Sequence, residues 1–169
     1  MLVEHEYKGY CNSPVGVLEV CGDGKAITAI RFSNSDVAQV QTDSDNLIIK
    51  TCIIQLIEYF KGNLKVFDIP LSPSGTPFQN KVWDKVLEIP YGETTSYGKI
   101  ATALGDANLN RAVGLANGAN PIPIIIPCHR VIGGDGSLTG YAGGLERKRW
   151  LLSHELQYYV VRKGQLKLF

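Results

Sequence analysis

The segment Ile124-Ile125-Ile126-Pro127-Cys128-His129-Arg130-Val131-Ile132-Gly133 organises this sequence. Its three consecutive isoleucines are typical of stiff, buried backbone, because β-branched side chains restrict χ1 and avoid water. Pro127 fixes one backbone angle directly before the cysteine. We therefore expect Cys128 at a rigid interior position, with the imidazole of His129 beside it.

The Cys128-His129 pair supports two interpretations. A thiol is a strong nucleophile only as the thiolate, and a nearby imidazole is a common means of lowering its pKa. A catalytic Cys128 would therefore have a pKa below that of an ordinary thiol. Free cysteine is also a common small core residue, and a Cys-His pair in an apolar run is structural more often than catalytic. The surrounding sequence has to decide between the two.

Length and composition limit the class of protein. A chain of 169 residues forms one medium domain or two small ones, and its apolar content of 44% is ordinary for a globular protein. No apolar run approaches the roughly 20 residues of a membrane span. Residues 1–6 lack the basic and apolar regions of a secretory signal. We therefore expect a cytoplasmic protein without membrane contact.

Cysteine spacing and charge restrict the partners. The cysteines at 11, 21, 52 and 128 include no Cys-x-x-Cys pair, so a zinc ribbon or thioredoxin-type motif is not expected. His5 with Cys11 or Cys21 has irregular spacing for a metal site, and we expect neither metal nor cofactor. The formal net charge of +1 weighs mildly against DNA binding. A DNA partner would require locally concentrated charge, or contacts through backbone and shape.

The first third of the chain is predicted to be a small antiparallel sheet covered by a helix. Strands separated by turn sequences are expected over residues 6–11, 15–21 and 26–32. Residues 33–45 are polar and predicted as loop. A helix is expected over residues 46–61, with caps from residues 43–45 and a stop at Gly62-Asn63. Its predicted inward face consists of Ile49, Ile53, Leu56, Ile57 and Phe60.

A helix-turn-helix is predicted after the connector of residues 71–75. Thr76-Pro77 starts a helix that runs to Glu88, in which Phe78 and Trp83 are expected to pack in a core. Two short helices follow across a brief turn, over residues 96–104 and 109–117, with caps at Thr94 or Thr95 and at Asn108. The second of these is rich in small residues between 111 and 119. Close approach to a surface and tight helix packing explain that composition equally well.

The chain after the cysteine is predicted to form a turn, a loop and a helix. Residues 133–137 form the turn, and the small-residue loop 140–144 could wall a pocket. The helix covers residues 145–155, with 146–149 as a solvated charged turn, and a strand is expected in the tail from Leu156. The inward positions of the helix are Leu145, Trp150, Leu151 and Leu152.

These elements predict an α+β fold with two domains. Residues 1–73 form an N-terminal scaffold with an antiparallel sheet and a covering helix. Residues 74–169 form a mainly helical domain that contains the helix-turn-helix and Cys128.

The wider sequence Asn-Pro-Ile-Pro-Ile-Ile-Ile-Pro-Cys-His-Arg-Val, residues 120–131, resembles the active-site signature of the alkylguanine-DNA alkyltransferases. These proteins are also called methylated-DNA–protein-cysteine methyltransferases, and the resemblance extends from about Thr76 to Glu155. It implies direct-reversal DNA repair, in which an alkyl group moves irreversibly and once only to Cys128. The implied substrate is 6-O-alkylguanine, or less readily 4-O-alkylthymine, in the minor groove of double-stranded DNA. We expect a monomer.

The resemblance also implies roles for individual residues. Cys128 matches the alkyl acceptor, His129 its base, Glu155 the carboxylate that orients the histidine, and Asn120 a brace of the active-site loop. Tyr97 matches the tyrosine that assists the leaving guanine. The matching DNA-binding positions are Tyr97, Thr95, Ala112, Ala119 and Arg111, the arginine that fills the stack after the nucleotide is flipped out. The matching pocket positions are Pro123, Val131, Tyr141 and Ala142. Arg130 is expected to hold a nearby carboxylate or carbonyls.

Three other functions fit part of the sequence. A non-enzymatic protein that binds alkylated DNA would share the helix-turn-helix but lack the cysteine, so Cys128 argues against it. A transcription regulator would leave the Pro-Cys-His-Arg motif unexplained. A cysteine hydrolase requires an oxyanion hole and a histidine distant in sequence, whereas His129 is adjacent to Cys128.

Overall fold

The computed structural model describes residues 7–34 and 45–162, with side chains described as far as Tyr159. The chain divides into two compact units. The first comprises residues 1–74 with 121–123, and the second comprises residues 75–120 with 124–169. The elements within these units confirm the predicted α+β class. Across the described part of the chain, no helix combines the length and the apolar character needed to cross a membrane.

The first unit contains a three-stranded antiparallel sheet in sequence order. Its strands are β1 (Tyr7–Ser13), β2 (Gly16–Gly22) and β3 (Ile27–Ser33). Ser13 pairs with Gly16 across a two-residue hairpin, and a register shift occurs at Cys21 and Gly22 where β2 meets β3. The three predicted strands are confirmed with shifts of one or two residues. Glu6 and residues 35–44 of the predicted loop lie outside the described residues.

Helix α1 (Leu47–Phe60) packs on this sheet. Its N-cap is Asn46, whose Oδ1 accepts hydrogen bonds from the N–H groups of Ile48 and Ile49, so the predicted cap within residues 43–45 was wrong. The buried face is formed by Ile49, Cys52, Ile53, Leu56 and Tyr59. Ile57, predicted to face inward, is 39% exposed, because the buried stripe follows the i, i+3, i+4 and i+7 positions from residue 49.

Two further segments join the sheet through main-chain hydrogen bonds. The Ile27 N–H donates to the Pro70 carbonyl at 2.9 Å, and Leu71 forms an isolated bridge with Ile27, so the predicted connector begins as a partner of β3. The Ile30 N–H donates to the Pro121 carbonyl at 2.9 Å. That bond places residues 121–123 in the first unit, only a few residues before the cysteine.

The second unit begins with α2 (Pro77–Leu87), which starts as predicted. Thr76 caps the helix by accepting from the Gln79 N–H, and the Thr76 N–H in turn donates to Gln79 Oε1. Trp83 is 2% exposed, and its Nε1 donates to the Ala116 carbonyl at 2.8 Å. The predicted core role of Trp83 is confirmed, and its hydrogen bond ties α2 to α4 (Asn110–Gly118).

The predicted helix-turn-helix is confirmed as α3 (Tyr97–Ala103), a short 3-10 turn over Ala107–Leu109, and α4. Its caps differ from the prediction. Ser96, and neither Thr94 nor Thr95, caps α3, because its Oγ accepts from the Lys99 N–H. Thr95 and Ser96 also form β4 (Thr95–Ser96), which pairs in parallel with β5 (Val131–Ile132). Asp106 caps the 3-10 turn by accepting from the Asn108 N–H. The N-cap position of α4 is Leu109, without a side-chain cap hydrogen bond, so the predicted cap at Asn108 was wrong.

Helix α5 (Leu145–Arg162) is longer than predicted. The strand expected from Leu156 is wrong as far as Arg162, and residues 163–169 lie outside the described residues. Leu151 is fully buried as predicted, whereas Leu145 is 37% exposed. Trp150, also predicted to face inward, is half-buried and stacks on His154 with ring centroids 4.8 Å apart.

Candidate active site

The backbone around Cys128 is bent into a short 3-10 turn over Cys128–Arg130. The Cys128 N–H donates to the Ile126 carbonyl at 2.7 Å, and the Arg130 N–H donates to the Pro127 carbonyl at 2.9 Å. Ile124 is fully buried and has a φ of +76°, which is rare for a β-branched residue and costs about 1–3 kcal/mol. The cysteine is 4% exposed, which confirms the predicted interior position.

His129 and Glu155 form a buried pair behind the cysteine. His129 Nε2 lies 2.7 Å from Glu155 Oε1, and the two side chains are 0% and 1% exposed. A carboxylate only accepts hydrogen bonds, so Nε2 carries the proton and donates it to Glu155. In the neutral imidazole, Nδ1 is therefore an unprotonated acceptor. Among the described residues, no group donates to that nitrogen.

Arg130 holds the same carboxylate from its other side. Its Nε donates to Glu155 Oε2 at 2.8 Å and its Nη2 to Oε1 at 3.0 Å, which is the bidentate geometry that guanidinium favours. Its Nη1 donates to the Ile89 carbonyl at 2.6 Å. The prediction that Arg130 holds a carboxylate or carbonyls is confirmed. Burial alone would raise the pKa of Glu155, but the hydrogen bonds from His129 and Arg130 and their charges outweigh it and lower the pKa.

The resting site is neutral at both reactive groups. Burial lowers the pKa of His129 despite the opposing effect of Glu155. Burial raises the pKa of Cys128 to about 11, and the hydrogen bond from Asn120 and the charge of Lys148 offset that effect only in part. The expected low pKa of the thiol was therefore wrong. The position of His129 next to Cys128 in the sequence does not offset the rise in the thiol pKa that follows from removing the thiolate from water.

Lys148 is a site residue that the sequence reasoning missed. It was placed in a solvated charged turn, yet it is fully buried, with Nζ donating to the carbonyls of Val131 at 2.6 Å and Thr139 at 2.9 Å. Burial lowers its pKa, and the charge of a Cys128 thiolate would raise it. The available signal was its position seven residues before Glu155, which puts both side chains on one face of a helix.

Two asparagines support the segment that leads to the nucleophile. Asn120 Nδ2 donates to the Ile126 carbonyl at 2.8 Å, and its hydrogen bond to the thiol lowers the pKa of Cys128. Asn117 Nδ2 donates to the Cys128 carbonyl at 3.2 Å and was not among the predicted residues. Its position on α4 among small residues gave no signal of a contact with Cys128.

An open cleft of about 610 Å³ lies beside this cluster. It brings together four predicted residues, Tyr97, Arg111, Tyr141 and Ala142. The complete lining is Tyr97, Asn110, Arg111, Gly114, Leu115, Gly118, Thr139, Gly140, Tyr141 and Ala142. Lys148 links cleft and cluster, since its Nζ lies 6.0 Å from the centroid of the Tyr97 ring, and Tyr97 OH donates to the Thr139 carbonyl at 3.1 Å.

Five of the predicted binding residues do not line this cleft. Thr95 belongs to β4 and lines a separate pocket of about 290 Å³. Val131 is fully buried in β5, where its carbonyl accepts from Lys148. Ala112 is half-buried on α4, and Ala119 is exposed at its end. Pro123 is buried within residues 121–123 of the first unit.

The two glycines of α4 are better explained by surface approach than by packing. A β-carbon at Gly114 would meet the Tyr97 ring at 3.8 Å, which is an ordinary contact. A β-carbon at Gly118 would have no described atom within 4 Å. Both glycines line the cleft, so the described packing does not require them, and they leave the helix surface low enough for a ligand to lie close to it.

The other potential ligands of the chain form no comparable cluster. The four cysteines are buried free thiols. Within residues 7–34 and 45–162, no group of three or more histidine, cysteine, aspartate or glutamate side chains is arranged to hold a metal ion. His5, which was considered with Cys11 or Cys21, lies outside these residues.

Comparison with known proteins assigns both halves of the chain to one family. Residues 7–73 match the ribonuclease-like domain of 6-O-methylguanine DNA methyltransferase, and residues 77–157 match the DNA-binding domain. The methylated-DNA–protein-cysteine methyltransferase of Mycobacterium tuberculosis is 49% identical over 146 residues, covering 85% of this chain and 88% of that protein. The protein of the same name from Methanosarcina acetivorans is 45% identical over 152 residues, covering 88% and 97%.

Solved structures show the same similarity. The crystal structure of the M. tuberculosis O6-methylguanine methyltransferase has a TM-score of 0.79 at 44% identity and covers 90% of this chain and 93% of that chain. A structure of the M. tuberculosis protein in complex with DNA has a TM-score of 0.81 at 46% identity and covers 89% and 93%. Sequence and fold agree, and this chain belongs to the 6-O-methylguanine DNA methyltransferase family.

Proposed function

We propose that this chain repairs alkylated DNA by moving the alkyl group of 6-O-alkylguanine, or less readily of 4-O-alkylthymine, onto Cys128. The observation that carries the proposal is a buried cysteine backed by the hydrogen-bonded chain of His129, Glu155 and Arg130. The M. tuberculosis relative crystallised in complex with DNA supports DNA as the partner. That this DNA is double-stranded is proposed from the family resemblance. We further propose that the protein is an enzyme that acts once per molecule, and that it works as a monomer in the cytoplasm.

Within this proposal the two parts of the chain have separate tasks. Residues 1–73 serve as a scaffold, and residues 74–169 bind DNA and accept the alkyl group. The separate family matches over residues 7–73 and 77–157 support that division. So does the location of every member of the Cys128 hydrogen-bond cluster in the second compact unit.

The transfer is a single displacement at the alkyl carbon. The Cys128 sulfur forms the new S–C bond as the bond from that carbon to the guanine oxygen breaks, and the electron pair leaves with guanine. The thiol proton passes to His129, and one proton is returned to the departing base, so the products are a thioether and guanine. No group in the site can break the thioether, and the protein is consumed.

The charges behind the cysteine favour this proton transfer. When His129 accepts the thiol proton, its Nε2 still donates to Glu155 Oε1, so the new imidazolium is stabilised by a carboxylate 2.7 Å away. Lys148 stabilises the negative charge that develops on sulfur, because among the described residues its buried ammonium otherwise contacts only carbonyl oxygens and an aromatic ring. The site is therefore neutral at Cys128 and His129 at rest, and charge on the sulfur and on the imidazole appears only while the reaction proceeds.

Tyr97 and the loop after Thr139 form the proposed guanine site. Tyr97 assists the departing base by hydrogen bonding, for which its hydroxyl must exchange the Thr139 carbonyl for guanine. Tyr141 and Ala142 line the same cleft. Burial raises the pKa of Tyr141, and the charge of a Cys128 thiolate would raise it further. We retain Val131 and Pro123 as proposed pocket residues only through the family resemblance.

DNA binding is proposed to use the cleft face of α4 in the minor groove. Gly114 and Gly118 let the groove floor approach, which reduces the dependence on net charge. Arg111 is exposed on the same face and is proposed to fill the gap left by the flipped nucleotide. Thr95, Ala112 and Ala119 remain proposed contacts on the flanks of the cleft.

The direct test is mass spectrometry after exposure to an oligonucleotide that contains alkylated guanine. We expect a stable adduct of one alkyl group on Cys128 and none on Cys11, Cys21 or Cys52. The proposed transfer requires a proton acceptor beside the thiol, which His129 supplies to Cys128. Cys128→Ser should give no adduct yet retain duplex binding, since oxygen is a far weaker nucleophile near neutral pH. An unmodified wild-type protein would favour the lesion-binding alternative, and multiple turnovers would favour a hydrolase.

The pH dependence of alkylation by free 6-benzylguanine tests the neutral resting pair. The reactive form contains the thiol and the unprotonated imidazole, so the rate should be flat between about pH 7 and 9 and fall as His129 gains a proton at lower pH. In His129→Ala, only preformed thiolate reacts. The rate of that variant should rise about tenfold per pH unit toward the thiol pKa of about 11.

The comparison of the two profiles is decisive. Wild-type and variant rates that rise in parallel would mean that His129 does not accept the thiol proton.

Arg111→Ala tests nucleotide flipping. The free base needs no flipping, so its reaction should be unchanged, while the single-turnover rate at saturating duplex should fall about tenfold or more, given a flipping cost of a few kcal/mol. Arg149→Ala, which removes an exposed cation of α5 outside the cleft lining, is the matched control. If Arg111 only contacts a phosphate, Arg111→Ala would instead lower the affinity for duplex DNA. It would also reduce the slope of log affinity against log salt concentration by about one, and the rate at saturating duplex would be unchanged.

A further inference from the structure

Asn117 is a buried amide on the last turn of α4. Its side chain is 2% exposed, and its Nδ2 donates to the Cys128 carbonyl at 3.2 Å. Three residues later, Asn120 Nδ2 donates to the Ile126 carbonyl at 2.8 Å. The amides of Asn117, on α4, and of Asn120, just after it, therefore hold the backbone on both sides of Pro127.

Stability of the fold does not explain why the side chain at position 117 carries an amide oxygen. The Asn117 Oδ1 is buried, and among residues 7–34 and 45–162 no donor reaches it. The amide cannot turn over, because its oxygen would then face the Cys128 carbonyl oxygen. A buried acceptor without a donor is unfavourable, so an apolar side chain of similar size would serve the fold about as well.

We propose that Asn117 is a positioning residue for alkyl transfer, which holds the Cys128 carbonyl so that the sulfur keeps its direction toward the alkyl carbon. The inference rests on the proposed function and extends it by one residue. The cysteine main chain is then held at both ends, by the Ile126 carbonyl at its N–H and by Asn117 at its carbonyl. Such restraint matters because a displacement of about 1 Å at a reacting atom can cost about a hundredfold in rate.

Asn117 also links nucleophile position to the DNA-facing helix. Arg111, Gly114 and Gly118 of α4 line the cleft, while Asn117 of the same helix is turned into the protein and bonds to Cys128. The short helix that lies against the proposed DNA therefore also orients the sulfur. No other described residue of α4 donates a hydrogen bond to the nucleophile's own main chain.

The test replaces Asn117 by leucine, which has a similar size but no donor. We expect the single-turnover rate with free 6-benzylguanine to fall about tenfold or more, with the half-saturating concentration within about twofold of wild type. The free base reports on the nucleophile alone, since it requires no DNA binding. A rate within about twofold of wild type would overturn the inference.

Asn80→Leu is the matched control. Asn80 also donates from Nδ2 to a carbonyl, that of Gly75 at 3.4 Å, and its Oδ1 is likewise buried with no donor among the described residues. It lies on α2, outside the Cys128 cluster and the cleft lining. We expect Asn80→Leu to react like wild type and to lower the unfolding temperature no more than Asn117→Leu does, since the Asn80 hydrogen bond is exposed and that of Asn117 is buried. A loss of rate that is equal in the two variants would indicate a merely structural role.

A second variant, Asn117→Asp, provides a readout if the leucine variant does not fold. A protonated acid can donate to the Cys128 carbonyl, whereas the carboxylate cannot. The rate relative to wild type should therefore fall as pH rises through the titration of the new acid. The other ionisable groups near the thiol are common to both proteins: His129, Lys148, Tyr141, Glu155 and Arg130. A rate ratio that does not change with pH would overturn the inference.

The outcomes separate the two proposals. If wild type gains no adduct on Cys128, the proposed function itself fails. If wild type reacts and Asn117→Leu reacts equally fast, only the positioning role of Asn117 fails.

Discussion

The carboxylate of Glu155 is the interaction on which the rest of the site depends. Its Oε1 accepts from His129 and Arg130, and its Oε2 accepts from Arg130 and from the Gly92 N–H at 3.1 Å. These donors allow an anion to remain 1% exposed, whereas removal of one partner from a buried ion pair costs about 3–5 kcal/mol. Gly92 has a φ of +78°, and a β-carbon there would lie 2.5 Å from Cβ of Tyr159, so this donor position requires glycine. The carboxylate thereby joins α5, the nucleophile turn and the segment after α2.

Burial and charge together explain how one site can be both inert and reactive. Burial keeps the Cys128 thiol protonated, with a pKa of about 11, and keeps His129 uncharged. A protonated thiol is poorly reactive toward oxidants, which protects a nucleophile that the proposed reaction uses only once. In the proposed reaction, Lys148 and the His129–Glu155 pair stabilise the charges that separate once proton transfer begins. Selectivity then follows from the substrate, because only an alkyl carbon held against the sulfur draws on that stabilisation.

The fold class, the strands and the helix-turn-helix followed from sequence because they rest on local periodicity and turn residues. The cluster of Cys128, His129, Glu155 and Asn120 followed from resemblance, since Glu155 is far from the cysteine in sequence. Two site residues were missed for a physical reason. A lysine within a charged run is normally solvated, so burial of Lys148 depends on which face of α5 meets the nucleophile turn. Likewise, the contact of Asn117 depends on tertiary packing of α4. The pKa of Cys128 was misjudged because adjacency in sequence carries no information on desolvation.

In the resting site the thiol of Cys128 and the imidazole of His129 are both neutral, with the imidazole proton on Nε2. Nitrogen NMR of ring-labelled His129 in the native protein near neutral pH tests this state directly. We expect one protonated nitrogen, Nε2, hydrogen bonded to Glu155, and an unprotonated Nδ1. The ring should remain in that state until acidification. A ring protonated on both nitrogens at neutral pH, paired with a Cys128 thiolate, would show instead that the resting pair is ionised.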